Sequence, residues 1–292
     1  MNEGDFDFNI TVVGLGLIGG SFAKALRNLN PQKLYGIDIN KESLNNALKI
    51  GTIDEGFTDG KIPLIKSHLV IIALYPNETI KFIQDNIQYM RQGCVITDTC
   101  GLKQNITERV NKILPKTIEF VGGHPIAGKE SQGFGFSSEH IFINSNYIIT
   151  PSKENTEKNV KLIENMAKAI GCKNVIRVSP VKHDKIISLT SQLPHIVAIS
   201  LMNSHIDSNI DDLFIGGSYK DATRVASINI KLWTELLIEN SDNIVGEIEK
   251  FENTLTKLKE AIKSKDSSTL EDVFTTSSQK RRRMLLNENS KH

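Results

Sequence analysis

Three cysteines in 292 residues, at positions 94, 100 and 172, are too few and too unevenly spaced for a disulfide framework or a zinc site. That usage fits a reducing, cytoplasmic setting and leaves no metal candidate. Charge of one sign is missing too: 35 lysines and arginines stand against 34 acidic residues, a net charge of +1. Such a balance gives no general attraction for nucleic acid or an anionic membrane. No apolar run approaches the roughly 20 residues that cross a bilayer, and the opening MNEGDFDF is acidic, unlike a secretory leader. Aromatic residues are sparse at 6%, but the apolar total of 39% is that of a globular chain with a sizeable core. The length predicts two domains.

From residue 9 to about 180, β-rich runs alternate with helical patterns. The runs are 10–14, 34–38, 69–74, 94–98, 118–122, 146–150 and 174–178, and most are continuously apolar, as in strands covered on both faces. This alternation predicts a doubly wound α/β domain over 1–180. After Pro180 the β signal ends and an all-α domain over 181–292 is predicted, with its first helix adjusted near Pro194, which has no N–H to donate. Val245, Ile248, Phe251, Leu255, Leu258 and Ile262 form a stripe at steps of three and four, so burial is expected there, within the bundle or in a homodimer. Ser268 to Glu271 has the spacing of a capping box. The basic run Lys280–Arg283 reads as a solvated helix end.

Two stretches carry chemistry. Val13–Gly20 contains GxGxxG directly after a strand and before a helix, the context a dinucleotide fingerprint requires. Gly14 permits the turn, Gly16 lets backbone approach a pyrophosphate and Gly19 lets helix pack on strand. The amides around Leu17 and Ile18 at the helix start then face the phosphates. Asp38, nineteen residues past Gly19, suits the ribose hydroxyls and repels a 2′-phosphate, which favours NAD over NADP. The second stretch is GGHPIAGKESQGF, 122–134. It places His124 before Pro125, among Gly122, Gly123 and Gly128, just past a strand end. Ligands bind outside the carboxyl ends of such strands, and a neutral imidazole is a usual acceptor for a hydroxyl proton. Proline is expected to stiffen the backbone, and the glycines to let a ligand come close.

GHPIAGKESQG resembles the histidine loop of the prephenate dehydrogenase family, which includes arogenate and cyclohexadienyl dehydrogenases. VVGLGLIGGSFAKAL, TDTCGLK (97–103), LPH (193–195) and GGSYKDATRVA (216–226) are similar to further motifs of that family, in the same order. The resemblance implies a Rossmann domain followed by a helical substrate and dimerisation domain. It also implies a homodimer that uses NAD to decarboxylate prephenate or arogenate oxidatively in tyrosine biosynthesis. His124 matches the catalytic histidine, Arg224 the arginine that binds a substrate carboxylate, and His195 a second histidine of the pocket. Trp233 is similar in placing to an aromatic at the pocket edge, and Glu130 resembles a loop acid that influences access. Gly101 stands where many members carry a serine that assists the histidine, a role open here to Cys100, Thr99 or a water. Lys220 stands where arginine is common.

Independently of the resemblance, a helical wheel places Ser188, Ser191, His195, Ala198 and Met202 on one side of the first helix of the second domain, opposite Ile186, Leu193 and Val197. That small, polar stripe is suited to line a pocket. Two other readings remain: a β-hydroxyacid dehydrogenase using Lys182 or Lys185, and a regulator that senses NAD without turning it over.

Overall fold

The computed structural model describes residues 6–128, 131–204 and 214–289. The first half alternates strand and helix: β1 (Asn9–Val13), α1 (Leu17–Arg27), β2 (Lys33–Ile37), α2 (Lys41–Lys49), β3 (Glu55–Phe57), α3 (Pro63–Lys66), β4 (Leu69–Ile72), α4 (Pro76–Asn86), β5 (Val95–Asp98), α5 (Gln104–Ile113) and β6 (Glu119–Ile126). Then come β7 (Asn146–Thr150), α6 (Glu157–Ala169) and β8 (Asn174–Arg177). The eight strands form one sheet in the order β3-β2-β1-β4-β5-β6-β7-β8. All neighbours are parallel except β6 and β7, which run antiparallel.

Continuous apolar strands follow from helices on both faces. Along β4, Leu69 and Ile71 enter one core with Ile10, Val12 and Phe22, while Val70 and Ile72 enter the other with Ile96 and Phe120. Strand side chains alternate between faces, so a strand covered on both must be apolar at every step. The runs named from the sequence became seven of the eight strands. The one missed, β3, is a three-residue edge strand whose residues are all only partly buried, too short for any periodicity to register.

Helices follow as α7 (Pro180–Ile187), α8 (Leu193–Asn203), α9 (Gly217–Thr223), α10 (Ile230–Glu239), α11 (Ser241–Ser264) and α12 (Ser267–Asn289). Ser179 caps α7 by accepting from the Lys182 amide, with Pro180 in the first turn. Between α7 and α8, residues 188–192 form a π turn. It ends two residues before Pro194, whose missing donor breaks the regular ladder, and a wider turn absorbs the break. Its register shift alters the wheel drawn from sequence: Ser188, Gln192 and Ala198 are buried, while Ser191 and His195 are half-buried. Pro180–Asn203 is, among the described residues, the one helix long and apolar enough to cross a membrane by length and composition, its mean hydropathy reaching 1.2. Counting uninterrupted apolar runs overlooks it, because Ser, Thr, Gln and His punctuate the stretch.

By packing, the chain divides into two units, Met1–Ser241 and Asp242–His292. In the second, Asp266 caps α12 by accepting from the Thr269 amide at 3.0 Å and hydroxyl at 2.6 Å, in place of the capping box expected from Ser268. Along the apolar stripe on α11, Val245, Phe251, Leu255 and Ile262 are exposed. A single-sided apolar ridge of this length calls for cover by another molecule. In light scattering the protein is expected at twice its chain mass, and Leu255→Glu is expected to return it to a single chain.

Candidate active site

Strand β6 changes partners halfway. Glu119–Val121 pair with β5, and Gly122–Ile126 pair with β7. His124 therefore lies inside a strand, opposite Ile148, and not in a loop beyond its end, because the antiparallel β7 carries the ladder five residues further. A methyl group at Gly122 would stand 2.4 Å from the Thr150 hydroxyl, and one at Gly123 2.4 Å from the Tyr147 hydroxyl. These two glycines admit β7 side chains; they do not serve ligand approach.

On its other edge β6 meets the end of β5. The Gly123 amide donates to Oδ1 of Asp98 at 3.1 Å. Oδ2 of Asp98 accepts from the Cys100 amide at 3.0 Å and from the Lys103 ammonium. Both side chains of the Asp98–Lys103 pair are fully buried. Burial pushes the Cys100 thiol well above its ordinary range, and its hydrogen bonds run to Leu74 and Thr79.

Behind His124 stands a chain of three groups. Nδ1 of His124 is 2.9 Å from Nε2 of His183, and Nδ1 of His183 is 2.6 Å from Oδ1 of Asp184. Asp184 also accepts from the Lys103 amide at Oδ1 and the Gln104 amide at Oδ2, both at 2.8 Å. A carboxylate only accepts, so His183 donates from Nδ1, and in its neutral form it presents a bare Nε2. His124 must then donate from Nδ1, which leaves its own Nε2 as the basic atom. Burial holds the His124 pKa well below the ordinary histidine range, and His183 and Lys103 lower it further. The ring is a neutral base of fixed tautomer.

What faces Nε2 is small. A methyl group on Gly101 would lie 3.9 Å from Nε2 of His124 and 3.7 Å from Leu236. Leu236 belongs to α10, as does Trp233 one turn earlier. Trp233 stacks on His195 of α8, with ring centroids 3.8 Å apart and planes 31° from parallel. Residues three apart on a helix share a face, so α10 links the His124 imidazole to the His195–Trp233 pair. Nδ1 of His195 lies 2.8 Å from the Ser191 carbonyl. Arg224 opens the short 3-10 turn after α9. Glu130 lies outside the described residues. Lys182 and Lys185, the lysines a β-hydroxyacid dehydrogenase would need, are exposed, while His183 and Asp184 between them are buried.

The nucleotide end fits a dinucleotide. Gly14 has φ +82°, and a methyl there would meet the Ala73 carbonyl at 2.5 Å. One on Gly19 would meet the Gly14 carbonyl at 1.8 Å, so strand and helix pack as closely as the fingerprint requires. At Gly16 the corresponding space is open, and no side chain caps α1 there. The first-turn amides, Leu17 and Ile18 among them, are left to phosphate oxygens. Asp38 accepts from the Leu15 amide at 2.6 Å and the Asn40 amide at 2.7 Å. That uses two of about four lone-pair sites on an ionised carboxylate and leaves the others for a ribose.

The model of the prephenate dehydrogenase nucleotide-binding domain matches residues 22–176, and that of the prephenate dehydrogenase dimerization domain matches 179–276. The chain belongs to the prephenate dehydrogenase family. Among the family's members, the chain is 32% identical to the prephenate dehydrogenase of Bacillus subtilis over 274 residues, 91% of this chain and 73% of that one. It is 25% identical to the cyclohexadienyl dehydrogenase of Zymomonas mobilis over 279 residues, 94% of each. The crystal structure of prephenate dehydrogenase from Aquifex aeolicus, in complex with hydroxyphenyl propionate and NAD+, superposes with a TM-score of 0.87 at 33% identity. The match covers 95% of this chain and 98% of that one. This protein is an NAD-dependent oxidoreductase of that family.

Sequence reasoning missed His183, Asp184 and Lys103. Their signal was thin: an adjacent His-Asp pair inside an otherwise ordinary helix start, and a lysine five residues after an aspartate. Lys103→Met should destabilise the protein by about 3–5 kcal/mol in chemical denaturation, because it strands a buried carboxylate.

Proposed function

We propose that this protein oxidises prephenate with NAD+, releasing CO₂ and 4-hydroxyphenylpyruvate. The observation that carries the reading is the neutral His124, whose bare Nε2 points to the space left by Gly101. Prephenate carries a hydroxyl at ring C4 and a carboxylate at C1. Nε2 of His124 draws the hydroxyl proton, which builds electron density toward C4. The bound dinucleotide supplies the acceptor for the hydride from C4. Loss of the C1 carboxylate as CO₂ makes the ring aromatic, and this gives the step its driving force. The protein's share is alignment of base, hydride carbon and carboxylate.

Arg224 is assigned to a substrate carboxylate, because a guanidinium fork binds carboxylates in bidentate fashion. The stacked His195–Trp233 pair forms one wall of the pocket. The chain functions as a homodimer through its helical half. Its three free, buried cysteines suit a reducing cytoplasm. L-Arogenate is the second reading, favoured by the similarity to a cyclohexadienyl dehydrogenase.

NADH formation from prephenate, L-arogenate and simple hydroxyacids tests the assignment; turnover confined to hydroxyacids, or none at all, overturns it. His124→Asn should keep NAD binding and lower kcat on the order of 10²–10⁴-fold. Arg224→Ala should raise KM for prephenate at least about tenfold while coenzyme affinity holds; an unchanged KM moves the carboxylate site elsewhere.

A further inference from the structure

Neutrality makes His124 a good acceptor and a poor place to leave a proton. Its ring is half-buried, and burial together with the nearby Lys103 ammonium disfavours a second positive charge. The groups behind it differ. His183 is wholly buried and bonded to Asp184, and Asp184 is fastened by two backbone amides. A positive charge on His183 sits directly against a carboxylate.

We propose that His183 and Asp184 hold the proton during turnover: as the substrate hydroxyl proton arrives at Nε2 of His124, the proton on Nδ1 of His124 crosses to Nε2 of His183. The proposal rests on the reading of His124 as the base. One N–H bond forms on each imidazole, and the O–H bond of the substrate and the Nδ1–H bond of His124 break. His124 ends neutral with its hydrogen on Nε2, His183 ends as an imidazolium bonded through Nδ1–H to Asp184, and no electrons change hands in the relay. His183 and Asp184 are positioning residues, since both act through His124.

The charged and titratable groups around the pair come from four elements. Asp184 is on α7 itself, His124 is on β6, and Lys103, paired with Asp98 of β5, lies at the start of α5. From the residue that ends α10 and from the π turn, neutral side chains reach in. The Asn240 amide donates to the Asp184 carbonyl at 3.1 Å and to the Gln192 side chain at 2.7 Å, and Gln192 donates to the Leu236 carbonyl at 3.0 Å. Among the described residues, Asp184 is the one acid hydrogen-bonded to His183.

A pH profile separates this role from a structural one. His124 and His183 share one hydrogen bond, and a proton added to that bonded pair puts a hydrogen on Nε2 of His124 and blocks the base, so the acid limb of the rate profile belongs to the pair and to neither ring alone. His183→Gln can still accept from His124 and donate to Asp184, but it cannot take a proton. Its acid limb is then set by His124 alone and moves to lower pH.

The experiment measures kcat and kcat/KM with prephenate and NAD+ for the full-length protein, from about pH 5 to 9. Thermal melts and NAD titration by Trp233 fluorescence serve as fold checks. For His183→Gln, kcat at neutral pH should fall at least about tenfold, KM should change little, and the acid limb should shift downward. A kcat near that of the wild type overturns the proposal, and so does a lower kcat with an unmoved limb. If His183→Gln fails its melt, Asp184→Asn decides: its loss of charge should lower kcat and shift the limb in the same direction, and an unmoved limb overturns the proposal. His124→Asn in the same series isolates the underlying reading, since turnover surviving there removes the base itself whatever the His183 variant does.

Discussion

One buried ion pair organises the catalytic half of this molecule. Asp98, the last residue of β5, is the group on which the end of the sheet converges. Its carboxylate replaces the strand neighbour that β6 loses at Gly122, fixes the turn through Cys100 and neutralises Lys103. Two charges in a dry interior are tolerable only when each is paired and hydrogen-bonded, and here the pairing is used. Lys103 is drawn inward, so α5 starts where its first amides meet Asp184, and the His124 strand segment is pinned at Gly123. Remove the attraction and the strand, the helix start and the base lose their common reference.

The His124 imidazole inherits its character from that frame. A histidine on an open loop would carry an ordinary proton affinity and either tautomer. His124 has neither freedom, because β7 holds its backbone, His183 holds its Nδ1, and the surrounding protein with the Lys103 charge disfavours the imidazolium. The fold spends a regular helix to achieve this. The π turn at 188–192 lets the inward side of one helix present His183, Asp184, Ser188 and Gln192 in succession, and Gln192 and Asn240 then fasten α10 to the same framework. Polar groups buried in this number are tolerated because each has a partner.

Much of this was legible in the sequence wherever a local rule applied. Apolar strands, the glycine fingerprint, Asp38 and the histidine before proline each depend on a few adjacent residues, and the structure has them where pattern reasoning placed them, with His124 moved from a loop into a strand. What stayed hidden depends on pairing between distant segments. Nothing near Gly122 announces that Thr150 and Tyr147 will occupy its space, and nothing near His183 announces His124, 59 residues earlier. The three residues of β3 were too few to show a period. The α11 stripe was read correctly as apolar, but Val245, Phe251, Leu255 and Ile262 are exposed, since periodicity reports that a face needs cover and not which molecule supplies it.

Asp184 has two duties that cannot be separated. One oxygen is shared between His183 and the Lys103 amide, and the other takes the amide of Gln104, so the carboxylate that steadies the imidazoles also starts a helix. A displacement of α5, from whatever cause, is handed directly to the base along two short bonds. Mechanical disturbance at that helix and chemical competence at the histidine are thereby welded together at a single side chain, and the protein has no means of adjusting one while sparing the other.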